Sequence, residues 1–161
     1  MIYASFSPDS KYLASSATEG ELVVWDVASG EAVWRQQAHD EVTASVNYAP
    51  DGTSLLTAGR GHVMTIWDSA TREPVRSWQP GGDVFTSAVY SADGRLIAGA
   101  GSSGEVYVIE AATGELLQKV DADGFINAVA FAKDGAFIAA ACGDGQLRVW
   151  DVATGRLQYS R

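Results

Sequence analysis

The chain has 161 residues, 47% of them apolar, enough to pack one core and too few for two ordinary domains. Eleven Lys and Arg against twenty Asp and Glu give a net charge of -9, which excludes a phosphate-neutralising surface for nucleic acid or an anionic membrane. The single cysteine, Cys142, excludes an internal disulfide and any multi-cysteine metal centre, and no apolar run approaches the roughly 18 residues of a membrane helix. The opening residues lack the basic and apolar blocks of a secretion signal, which predicts a cytoplasmic protein.

Taken in chain order, the sequence divides into four units of one pattern, at about 1–37, 38–79, 80–120 and 121–161, within a single domain spanning 1–161. The first opens in a strand over 2–6, turns at Asp9-Ser10, and runs through Trp25-Asp26 to Ser29-Gly30-Glu31. The second repeats these marks as Asp51-Gly52, Trp67-Asp68 and Thr71-Arg72-Glu73, the third as Asp93-Gly94, Ile109-Glu110 and Thr113-Gly114-Glu115. In the fourth, short apolar runs over 125–131, 137–142, 146–151 and 156–160 are separated by Asp134-Gly135, Asp144-Gly145 and Thr154-Gly155-Arg156. The turn aspartates stand 42, 42 and 41 positions apart, and the Trp-Asp-type pairs keep the same spacing.

Apolar runs this short, bounded by Gly and Asp, are strands rather than helices, and Asp-Gly supplies the positive φ of a tight hairpin. Four strands per unit predict an all-β chain of sixteen strands in four antiparallel meander sheets, the pattern of propeller blades. The count leaves no spare strand, so one sheet face at each end of the array lies bare. Three arrangements cover it: a longer propeller containing this segment, a homodimer closing an eight-bladed ring, or a self-closed ring of four.

Phe6-Ser7-Pro8-Asp9, Tyr48-Ala49-Pro50-Asp51-Gly52 and Val149-Trp150-Asp151 resemble the WD-repeat β-propeller family, and the resemblance runs over essentially the whole chain. The third unit departs with Ile109-Glu110, and its segment 106–117 is similar to quinoprotein-type propeller repeats, the alternative family. The first resemblance implies a non-catalytic protein-interaction scaffold without a cofactor. The second implies an enzyme, quinoprotein-like or hydrolytic, with its site on the ring axis.

The WD-repeat family often links a His, a Ser or Thr, an Asp and the Trp within one blade. Carried over, the first unit offers Ser15, Glu19 and Trp25, and the second offers His39, Thr57 and Trp67 with Gly61 in the Asp position. The third has Gly81, Gly99, Ser103 and Ile109, and the fourth keeps Asp144 and Trp150, with Ala140 on the second strand and no His nearby. No unit is complete, and the role implied is structural. Trp34 and Trp78 fall in fourth strands and read as packing residues, and Cys142 reads as a buried filler. His39 and His62, with Asp40 and Glu41 nearby, read either as a surface metal or pH-sensing site or as two exposed loop histidines. No catalytic nucleophile with a matching base emerges.

Alternating strand direction puts the loops before the first strands and those between second and third strands on one rim. The family resemblance carries partner contacts onto Thr18, Arg60, Ser102 and Gly143, and Phe85 and Phe125 read as apolar anchors beside them. This rim also gathers Glu19, Glu21, Asp40, Glu41, Asp83, Asp121, Asp123 and Asp144 against Arg60 alone. A protein or peptide partner carrying positive charge is the expectation.

Overall fold

The computed structural model describes residues 3–80 and 84–161. The first residue of the strand expected over 2–6, and Gly81 and Asp83, lie outside the described residues. Blade one is β1 (Ala4–Phe6), β2 (Tyr12–Ser16), β3 (Glu21–Asp26) and β4 (Ala32–Gln37). Blade two is β5 (Thr43–Tyr48), β6 (Ser54–Gly59), β7 (Met64–Asp68) and β8 (Pro74–Trp78). Blade three is β9 (Phe85–Tyr90), β10 (Leu96–Gly101), β11 (Glu105–Glu110) and β12 (Leu116–Asp121). Blade four is β13 (Ile126–Phe131), β14 (Phe137–Cys142), β15 (Leu147–Asp151) and β16 (Leu157–Ser160).

Each sheet is an antiparallel meander in sequence order. The turn aspartates hold the first hairpin of each blade by one device. Their Oδ1 accepts the backbone N–H two residues on: Lys11 at 3.1 Å, Thr53 at 2.9 Å, Arg95 at 3.0 Å and Ala136 at 3.0 Å. The aspartate that ends β3, β7 and β15 caps the next turn, accepting Ser29 N–H at 2.8 Å, Thr71 N–H at 2.7 Å and Thr154 N–H at 2.8 Å. In blade three the longer Glu110 reaches the Thr113 hydroxyl instead, at 2.5 Å. The Trp-Asp signature is therefore a turn lock, and Ile109-Glu110 keeps its geometry with different atoms.

The inner strands β1, β5, β9 and β13 touch in succession, and three apolar clusters fill the spaces between consecutive blades. Between blades one and two, Trp34 meets Trp67 edge-on with ring centroids 6.0 Å apart among Leu22, Val46 and Leu55. Between two and three, Met64 and Ile66 pack on Ile97 and Tyr107, and between three and four, Ala98 and Val106 pack on Ile138 and Trp150. Inter-blade hydrogen bonds follow the inner strands: Tyr48 N–H donates to Ser5 Oγ at 3.1 Å, and Asn47 Nδ2 donates to Ala88 O at 2.7 Å. Among the described residues no strand of blade one packs on a strand of blade four, which corrects the self-closed ring of four. The four blades form an open half-ring.

The turn between second and third strands is tightest in blade one. Gly20 sits at φ +83°, and an added Cβ would run into the carbonyl oxygens of His39 and Glu41. Gly30, at φ +73°, faces open space. We therefore expect Gly30→Ala to cost about 1 kcal/mol, the conformational penalty alone, and Gly20→Ala to cost several-fold more. Urea unfolding of both variants checks this; equal losses would contradict the placement of the 38–41 segment over Gly20.

Candidate interaction rim

The rim is tied together by backbone contacts between a blade's second-to-third-strand loop and the segments flanking it. Arg60 N–H donates to Val42 O at 3.0 Å, Ser102 N–H to Val84 O at 3.1 Å, and Gly143 N–H to Phe125 O at 2.7 Å. Between blades one and two a residue that sequence reasoning missed does similar work. Gln37 Nε2 donates to Glu19 O at 2.6 Å and to His39 O at 2.7 Å, bridging two loops from the end of β4. Its signal was weak, because a polar residue closing an edge strand is ordinary.

Thr18, Arg60, Ser102 and Gly143 are all exposed on this rim. The two phenylalanines separate. Phe125 is 45% exposed, whereas Phe85 is fully buried, its ring edge-on to Tyr107 at 6.2 Å. Phe85 is thus a core residue and not an anchor, which corrects the sequence reading. The cause is register: Val84, not Phe85, stands in the place of Phe125, and one residue of offset turns a strand side chain to the opposite face.

Charge on the rim is divided between paired and open acids. Asp144 holds Arg148 at 2.7 Å and accepts the Gln146 N–H, contacts that keep its carboxyl below the usual range; it takes no part in a buried Trp network. Glu21 pairs with Arg35 at 3.3 Å. Among the described residues Glu19, Asp40, Glu41, Asp121 and Asp123 are exposed and form no ion pair.

In blade two the His, Thr and Trp positions come together. His39 Nε2 lies 3.0 Å from Thr57 Oγ1, which also accepts the Trp67 indole N–H at 2.9 Å. His39 is only 6% exposed, so the reading of two exposed loop histidines is corrected for it; His62 is half-buried at φ 65°. In blade one Trp25 donates to Ser15 Oγ at 2.9 Å. Trp150, 3% exposed, pairs with Ile138, and Ala140 holds the register position of Thr57, so no hydroxyl stands there to receive its indole; Cys142 is buried as expected of a filler. Among the described residues no three His, Cys, Asp or Glu side chains converge as a metal site. Two open clefts of about 500 and 480 Å³ lie at the opposite rim, beside the turn aspartates Asp9, Asp51 and Asp93.

Burial pushes the His39 imidazole down to about 4 from 6.5, only partly opposed by Asp40. A base with a depressed folded pKa lends stability that is complete above the unfolded value and lost as pH falls. Stability should therefore decline between pH 6.5 and about 4 by up to about 3 kcal/mol from this group. His39→Gln should flatten that window in a pH series of urea midpoints; an unchanged slope would show that His39 is not buried neutral.

The WD domain, G-beta repeat family model matches residues 3–26, 30–68 and 114–151. The stretch it leaves out contains Ile109-Glu110, where the structure still builds a four-stranded blade. No curated protein matches the chain. The fold is similar to that of a chain in a solved structure described as the crystal structure of the mitotic checkpoint complex, with a TM-score of 0.90 at 19% identity. The likeness covers 98% of this chain and 52% of that one, so this chain spans about half the length of its structural neighbour. With the repeat model over most of its length and the blades it implies in place, the chain belongs to the WD-repeat family.

Proposed function

We propose that the chain is a non-catalytic, cytoplasmic interaction scaffold that takes a basic protein segment on the rim carrying Thr18, Arg60, Ser102, Gly143 and Phe125. WD-repeat propellers in general bind proteins or peptides, and the structural neighbour comes from a protein complex. The observation that carries the reading is Phe125, a 45% exposed aromatic standing beside the unpaired acids Asp121 and Asp123. A half-exposed ring supplies the anchor that dominates interface energy, and the carboxylates steer a cationic partner toward it. The same scaffold also takes further blades on its two bare sheet faces, from a second copy or from a longer chain.

A peptide library varied in charge but sharing apolar residues tests this directly. Lysine- and arginine-rich sequences should dominate the bound set, and Phe125→Ala should weaken them at least tenfold. Asp121→Asn with Asp123→Asn should chiefly slow association and reduce its salt dependence. Bound sequences without a basic bias, or binding indifferent to Phe125→Ala, would refute the proposal.

A further inference from the structure

The repeat allows every position on the bare outer faces to be compared with its buried counterparts. Across β2–β3, β6–β7, β10–β11 and β14–β15 the pairs Ser16–Leu22, Ala58–Met64, Ala100–Val106 and Ala141–Leu147 occupy one register position. Leu22, Met64 and Val106 are each 0% exposed, covered by the next blade, while Leu147 is 43% exposed. Likewise Trp34, 9% exposed against blade two, corresponds to Tyr159, 48% exposed. The outer face of blade four therefore has the make-up of a face that receives a blade.

Blade one shows the converse. Phe6 pairs with Leu13 as Tyr48 pairs with Leu55, Tyr90 with Ile97 and Phe131 with Ile138. Those three aromatics pack into the inter-blade clusters, whereas Phe6 is 59% exposed. On the same sheet Arg35 lies over Trp25 and pairs with Glu21, repeating the pairing of Lys119 with Glu105 in blade three. The outer face of blade one has the make-up of a face that docks on the preceding blade.

We propose that a second copy of this chain covers both: blade four of each copy receives blade one of the other, closing an eight-bladed ring. The two bare faces continue the three interfaces already present, and a head-to-tail pair satisfies both at once with two identical contacts. Eight blades lie within the range of known propellers. By register, Tyr159 meets Trp25 of the second copy as Trp34 meets Trp67, and Leu147 enters the space beside Leu13. The new contact is drier than the inner ones. Ser45 exchanges hydrogen bonds with Ala88 at 3.1 and 3.2 Å, and Ser87 receives Val129 N–H at 3.3 Å, but blade four has Ala128 in that position.

This is independent of rim docking, which a monomer could also perform. Molar mass by light scattering across a concentration series should reach a plateau near about 34 kDa, twice the 17.0 kDa chain. Leu147→Glu and Phe6→Lys, both at exposed positions, should each hold the chain at the monomer mass with unchanged far-UV circular dichroism. Mixing the two variants should restore the dimer, because one of its two contacts then joins an unaltered blade four to an unaltered blade one. Thr18→Ala, on the rim, should leave the dimer intact. A monomer at every concentration, growth beyond two copies, a dimer that survives Leu147→Glu, or a variant mixture that stays monomeric would each overturn the proposal. If dimerisation fails while basic peptides still bind, the scaffold reading stands without it.

Discussion

A four-stranded sheet with apolar side chains on both faces buries both of them only between two others. That constraint organises this molecule. Leu56, Ile66 and Met64 on one side of blade two, and Val46, Leu55 and Trp67 on the other, serve two different clusters from alternate positions of the same strands. Hydrogen bonding within a blade sets its shape, but burial between blades supplies the driving force, at roughly 25 cal/mol for each Å² removed from water. The polar contacts across the interfaces, from Ser5, Asn47 and Ser87, align inner strands that the apolar clusters hold together.

The proposed function rests on what this packing leaves over. With the strands committed to stacking, the loops at the two ends are free to vary, and on one of them acid accumulates around Phe125. The buried His39–Thr57–Trp67 contacts belong to the packing and not to the surface. Gly59 makes room for them, since a Cβ there would stand 3.1 Å from the His39 ring. Proton uptake by His39 consequently charges a buried ring inside blade two.

Much of the architecture was legible in the sequence because turn chemistry repeats with it. Asp-Gly hairpins and Trp-Asp caps name the ends of strands, and a spacing near 42 names the blades. Register at the rim was not legible. Whether Phe85 or Val84 begins β9 decides which side chain enters the core, and both readings satisfy the same apolar run. The burial of His39 was missed for a related reason, since it depends on a glycine twenty residues away. Leu22 and Leu147 illustrate the deepest limit: the same residue type in the same repeat position is 0% exposed in one blade and 43% in another, because burial of a sheet face belongs to its neighbour.

The most direct measurement is amide hydrogen exchange across a dilution series of the intact chain. If blade-on-blade packing is the source of stability, β6, β7, β10 and β11, flanked on both sides, exchange slowly at every concentration. In the end blades, β2, β3, β14 and β15 should exchange faster in dilute solution and gain protection as concentration rises and their bare faces are covered. Protection lower in the end blades yet indifferent to dilution, or equal in all four blades of a monomer, would contradict the account, since covering the second face of a sheet would then add nothing.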